Sequence, residues 1–250
     1  MRNLTKILLV LLLAAALGGC YGRPYLDLTW TGIQGSGRVI TEMRDVSGFR
    51  SLAVNGIARL NVEQTDHESL SITSDDNVLP HVITEVRGGR LYVQFERGFG
   101  LANSSGLTVN VTAKELNDIS LNGGVVAEIK GLDVGQVTVN VSGGSLVRLS
   151  GKAEHLQVNV SGASFMELSG KANQQDVNLS GAGAYNAEHL EARRATVNSS
   201  GAGFAIVRAS EMLRAEISGL GYVEYVGNPT VNREISGLGI VRRSWNQSGS

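Results

Sequence analysis

A single cysteine, Cys20, stands among 250 residues, which excludes an intrachain disulfide and any cysteine-based metal cluster. Proline is nearly as scarce, at three residues, and charged side chains make up only 18%. No excess of basic residues marks the chain as a nucleic-acid binder. The four histidines, His67, His81, His155 and His189, have no Asp or Cys at ligand spacing, so neither a metal nor any other cofactor is expected. What the chain has in abundance is glycine, 32 residues, about twice ordinary usage. With 42% hydrophobic residues, a packed core is available and global disorder is excluded. Many tight turns joining short strands are the expected result.

No apolar run is long enough to span a bilayer. The longest, Ile7 to Leu17, follows the positive residues Arg2 and Lys6 and has the length of a cleaved signal-peptide core. It ends in Leu17-Gly18-Gly19-Cys20, which resembles the bacterial lipobox, in which the cysteine receives lipid and becomes the mature N-terminus. Residues 1–19 therefore read as a signal peptide and Cys20 as the lipidation site. Ordinary signal cleavage beside an incidental cysteine is the alternative. Loss of Arg2 and Lys6 leaves 20 basic and 23 acidic side chains. Residues 20–37, with Gly22, Pro24, Gly32 and Gly35, read as a tether, and Trp30 could instead begin a capping strand.

Internal repetition dominates the rest. An Asn/Ser-Gly dipeptide closes a strand-like run at Gly123, Gly143, Gly162, Gly181, Gly201, Gly219 and Gly237, at spacings of 20, 19, 19, 20, 18 and 18 residues. Alternation at period two turns Val139 and Val141, Val158 and Val160, and Val177 and Leu179 toward one side. Asn140, Asn159, Asn178 and Asn198 then face the other. After each glycine comes a small-residue corner, a second short strand such as LVRLSG or FMELSG, and a less regular return such as KAEHL or KANQQ. One coil buries four or five aliphatic side chains, roughly 6 to 15 kcal/mol, less than the cost of ordering about nineteen backbones at ~1 to 2 kcal/mol each. The coils must therefore stack. The predicted fold is all-β, a right-handed parallel β-helix of about 19-residue coils, since right-handed crossovers dominate parallel sheets. A left-handed helix would show an aliphatic residue every six positions, and no such hexad is found. Residues 38–118 read as an irregular N-terminal section of the same solenoid with longer coils. Residues 119–243 form its regular repeats, and 244–250 form a tail. About ten coils in all, roughly 48 Å of stack, are expected at the usual strand spacing.

The stretch from VSGFRSLAVNGIARLNVEQ through SDDNVLPHVITEVRGGRLYV, followed by serial SGA and SGL turns, resembles the bacterial auto-transporter adhesin family with a head GIN domain. The resemblance covers roughly residues 45–243. It implies a right-handed β-helix at the cell envelope and brings no catalytic residues with it.

Five residues after each turn glycine stand Glu128, Arg148, Glu167, Asn186, Ile206, Glu224 and Arg242. Their neighbours at the fourth position suit an interior, so the fifth points outward, and stacked Glu and Arg would form a charge ladder that fixes register. A catalytic reading competes with it. Glu128 and Glu167 fall two coils apart, about 9.6 Å, near the upper limit of inverting glycosidases. Glu216 and Glu234 fall in adjacent coils, closer to the retaining separation. The even period leaves no room for a loop that would wall a cleft, and a flat ladder excludes little water. The exposed Asn140, Asn159, Asn178 and Asn198 can hydrogen-bond along the stack, or offer a polar strip to glycan hydroxyls or to an envelope protein.

These readings lead to a lipid-anchored cell-envelope protein that presents a surface without catalysis, its expected partners a membrane through the anchor and a glycan or envelope protein. A glycoside hydrolase or lyase on a β-helix is the alternative. Tyr21 is not the Asp that commonly retains lipoproteins in an inner membrane, so an outer-membrane site is expected in a two-membrane cell.

Overall fold

Parallel strands of identical register build the molecule. In the computed structural model, which describes residues 32–244, the strands Asp118–Gly143, Leu146–Gly162, Phe165–Leu179 and Ala184–Ser199 lie side by side. Phe204–Arg208 with Met212–Ile217, Tyr222–Val226 with Thr230–Ile235, and Ile240–Arg243 continue the stack. The fold is an all-β solenoid whose glycine corners recur every 18 to 20 residues, with six regular turns between Gly123 and Gly237. The signal-peptide segment 1–19, Cys20, Trp30 and residues 245–250 lie outside the described residues.

Alternation explains the interior. Val139, Val158, Val177, Val197 and Ala215 are register partners, and all five are fully buried. Neighbours in such a column sit one strand spacing apart, about 4.8 Å, so each aliphatic side chain packs on the same atoms above and below. The corner glycines set the closeness of the coils. Gly123, Gly143 and Gly162 have φ of 122°, 101° and 112°, and a Cβ on Gly143 would stand 2.5 Å from the carbonyl oxygen of Gly123. No side chain fits there.

Differences in coil length are absorbed at corners. Between Ile129 and Leu132 one extra residue faces the pair Leu149 and Gly151, and between Asn186 and His189 one extra residue faces Glu167 and Ser169. These are bulges, and they occur in the two 20-residue coils. The first 18-residue coil is shortened at the corner after Arg208, and the second follows it in constant register. The carbonyl of Arg208 there turns to the buried amide of Gln175, whose Nε2 donates to it at 3.0 Å.

Four sequence expectations change. The variable return is not irregular: KAEHL and KANQQ lie inside the continuous strands Leu146–Gly162 and Phe165–Leu179, because the polar residues there alternate with buried Leu156, Ala172 and Gln175. Residues 32–37 are not a free tether. Gly32 and Ile33 pair with Gly100 and Leu101, and the Gly37 amide donates to Asp75 Oδ1 at 2.8 Å. The section 38–118 is only partly a solenoid of longer coils. Ser51–Gln64 stacks on Asp118–Gly143 with Gly56 opposite Gly123, but Val39–Arg44, Ser69–Asp75 and Thr108–Ala113 pair antiparallel, as do Val82–Arg87 and Arg90–Phe95. Hairpins therefore take the place of the additional coils that a stack of ten would need. Ser244 also still belongs to the stack, its amide donating to the carbonyl of Tyr225 at 2.8 Å.

Candidate functional site

The strands before the corner glycines from Gly143 to Gly201 present two outward rows of uncharged polar groups. In the first, Asn159 donates to Asn140, Asn178 to Asn159 and Asn198 to Asn178, at 2.8, 2.8 and 2.9 Å. An amide has two N–H donors and two acceptor sites, and the ladder uses one of each on Asn159 and Asn178. One donor and one acceptor of each of these two amides are left over from the ladder. The second row is formed by the serines that precede the corner glycines. Between the rows runs a shallow groove with a segment of about 290 Å³ along Asn140, Asn159 and Asn178. A second segment of about 350 Å³ passes Asn198, Ser200 and Ser218 to Glu216 and Glu234. Asn178 and Ser180 line both segments, so the groove is continuous.

At its far end the asparagine row passes into Glu216 and Glu234, register neighbours in adjacent coils. Glu216 Oε1 is already engaged by Arg214 Nε at 2.6 Å. At the near end lies a second ladder, separate from the rung at 140, 159, 178 and 198. Asn55 donates to Gln94 at 3.2 Å, Asn122 to Asn55 at 2.7 Å, and Ser142 Oγ to Asn122 Oδ1 at 2.7 Å. Its signal was in the sequence, as the Asn or Ser of each turn dipeptide, but the long excursion between Gly56 and Gly123 hid the register.

The row of Glu128, Arg148, Glu167, Asn186, Ile206, Glu224 and Arg242 follows the register expected of it, with Glu128 and Glu167 two coils apart. It does not form one ladder. Arg148 reaches Glu167 at 3.2 Å, Glu128 turns instead to Lys130 at 2.9 Å, and Arg242 pairs with Glu224 at 3.0 Å. Asn186 and Ile206 separate the two Glu–Arg pairs. Burial pushes the Glu224 carboxyl up, but hydrogen bonds from Ser244, Arg242 and Tyr222 and the charge of Arg242 outweigh it, holding Glu224 below its ordinary range.

A larger groove of about 770 Å³ crosses a third face, that of the return segments, over Ala153, Ala172, Ala192 and Ala209. Its lysines are spoken for: Lys171 lies 3.3 Å from Glu191 and Lys152 3.9 Å from Asp133. His155 meets Asp176 at 2.7 Å, and among the described residues no three His, Cys, Asp or Glu side chains are grouped to hold a metal ion.

A family model described as putative auto-transporter adhesin, head GIN domain, matches residues 48–229. The chain belongs to this family. Solved structures of other adhesin-like proteins share the fold of this head GIN domain chain. A putative adhesin from Bacteroides fragilis is 24% identical, covers 85% of this chain and 100% of its own, and superposes with a TM-score of 0.82. Putative adhesins from Parabacteroides merdae and Parabacteroides distasonis, 20% and 23% identical, each cover 85% of this chain, and 99% and 100% of their own, with TM-scores of 0.70 and 0.68. None of the curated proteins matches the head GIN domain chain.

Proposed function

We propose that this head GIN domain protein is a lipid-anchored component of the cell envelope that holds a neutral glycan along its asparagine and serine groove, without turning it over. The observation that carries this reading is the pair of parallel polar rows, which repeat a donor and an acceptor every ~4.8 Å along the stack. A chain of sugar hydroxyls is the natural complement to such a strip, since each hydroxyl both donates and accepts. A groove this open excludes little water, and the Glu216 carboxylate is already engaged by Arg214. The anchor rests on the Leu-Gly-Gly-Cys20 motif, with acylation at Cys20 and an outer-membrane address in a two-membrane cell.

The test is a glycan array probed with the wild-type protein beside Asn159→Ala and Asn178→Ala, with product analysis on every glycan that binds. Binding that falls about tenfold or more in either variant, with no cleavage product, is expected. Binding unchanged by both substitutions, or cleavage of a bound glycan, refutes the reading. For the anchor, Cys20→Ala should move the protein from the membrane to the soluble fraction, and the mature wild-type mass should include acyl chains.

A further inference from the structure

The face on the other side of the glycine corner carries three outward rows, and each is complementary to itself when read in reverse. Nearest the corner, the residue after each turn glycine is Gly124, Gly144, Ala163, Ala182, Ala202, Leu220 and Leu238 in successive coils, so size increases toward the C-terminal end. Leu220 is 62% and Leu238 82% exposed. Two residues further along, an apolar row runs from Val126 to Ile240, 44% and 55% exposed at its ends, with Ala184 in the middle. It stops at Arg59, the register neighbour of Val126. The row of Glu128 and Arg148 comes next, and the coils then bend, Gly131, Gly170 and Gly227 having positive φ. Phe204 and Tyr222 stack within the apolar row at 5.2 Å, and the Arg242 guanidinium lies over the Tyr222 ring at 5.0 Å.

We infer that this face docks a second copy of the chain, face to face and with the stacks running in opposite directions about a twofold axis at Ala184 and Asn186. Such an axis reverses the order of coils but keeps each row opposite itself, as an isologous interface requires. Glu128 then faces Arg242 of the second copy and Arg148 faces Glu224. Phe165 faces Phe204 and Leu146 faces Tyr222. Leu238 and Leu220 come over Gly124 and Gly144, where a Cβ on Gly144 would meet nothing within 4 Å.

Charge selects this register over its neighbours. Sliding one copy by a single coil in one direction sets Arg148 against Arg242 and Glu167 against Glu224. In the other direction it sets Glu128 against Glu224. Sliding by two coils toward the N-terminal end puts Glu167 against itself, and by two toward the C-terminal end leaves one pairing, Glu167 with Arg242, in place of the two. Like charges directly opposite are destabilising, so only the central register has both pairings and no repulsion. A copy with its stack parallel instead reverses the order of the rows and sets the small-residue row nearest the corner against the charged row. Seven coils at ~4.8 Å by about six residues at ~3.3 Å span roughly 670 Å² per copy, close to the ~800 Å² of a standard interface.

The inference does not depend on the glycan reading, because the asparagine groove stays open on the neighbouring face. Its test begins with sedimentation of the full chain over a dilution series, where a concentration-dependent dimer is expected and a monomer throughout overturns the proposal. With Cys20 replaced by Ala, Ala184→Cys places the one thiol on the twofold axis, next to its own copy, and mild oxidation should yield a covalent dimer. The same oxidation of Ala153→Cys, on the third face and in the same background, should not. Equal cross-linking of both variants, or none at Ala184→Cys, refutes the axis. Arg148→Glu should weaken dimerisation roughly tenfold, since the twofold repeats each repulsion. Adding Glu224→Arg should restore dimerisation while leaving the repulsions within each chain, to Glu167 and Arg242, in place. Dimerisation that fails to recover in the doubly substituted protein, with the fold intact by circular dichroism, counts against the pairing.

Discussion

The hydroxyl of Tyr185 donates to Oε1 of Gln175 at 3.1 Å inside the solenoid, and both side chains are fully buried. Gln175 passes the connection on to the carbonyl of Arg208, the backbone group turned inward by the shortened corner. A chain of this kind is stabilising only while complete, because a buried polar group without a partner costs about 1 to 3 kcal/mol.

Tyr185→Phe therefore leaves the Gln175 oxygen without its donor and should lower stability by about 1 to 3 kcal/mol in urea unfolding, with the far-ultraviolet spectrum unchanged. Gln175→Leu should cost more, since it strips both the phenol and the Arg208 carbonyl. An unaltered midpoint in both variants means the chain contributes nothing.

The asparagine ladder predicts a ranking. Asn159→Ala removes two side-chain hydrogen bonds and Asn140→Ala one. At about 0.5 to 1.5 kcal/mol for each bond, the first should cost about twice the second. Denaturation midpoints in the reverse order would show that the amides are held by solvent and not by each other.

Gly170 has φ of 115°, and a Cβ there would run into the carbonyl oxygen of Gly151. Gly170→Ala should push two coils apart and lower yield and stability severely, beyond the ~1 kcal/mol of an ordinary glycine replacement. Gly135→Ala, at an ordinary φ with no atom within 4 Å of the new methyl, is the matched control and should be close to neutral. Similar melting temperatures for the two would contradict the close-packed corner.

Glu224 gives a pH dependence of definite sign. Its folded pKa lies below the ordinary value of 4.5, so its contribution to stability is fully present above that value and is lost as pH falls through the folded pKa. Thermal unfolding between neutral and acid pH should show wild type more stable than Glu224→Gln at neutrality, with the gap closing below about pH 4.5. A gap that persists at low pH points to lost packing in place of lost charge.

The coils were legible from the sequence because burial at Val139, Val158 and Val177 writes a period of two and the crowded corner demands glycine at each turn. The asparagine rung at 140, 159, 178 and 198 followed from the same arithmetic. The first coil was harder to read. Gly56 and Gly123 are register neighbours separated by 67 residues, and an excursion of that length can hold hairpins without disturbing the pattern at either end. The charged row was legible in position but not in pairing, since Glu128 has Lys130 as well as Arg148 within reach and exposed side chains choose by small differences. Gln175 was invisible as a core residue, its burial depending on a corner two coils away.

The glycine corners make the length of this protein adjustable only in whole steps. Each of Gly143, Gly162, Gly181, Gly201, Gly219 and Gly237 meets the preceding corner glycine in nearly the same way. Excising the coil from Gly144 to Gly162 would bring Gly181 onto Gly143 and Val177 onto Val139, recreating the contacts that the missing coil had made. Removing only three residues from the same coil would instead put side chains meant for water into the interior and misalign both neighbouring coils. Gene duplication and loss can therefore lengthen or shorten the stack by about nineteen residues at a time while every intermediate folds. Such a change also moves the twofold axis by half a coil, so copies of unequal length would mismatch.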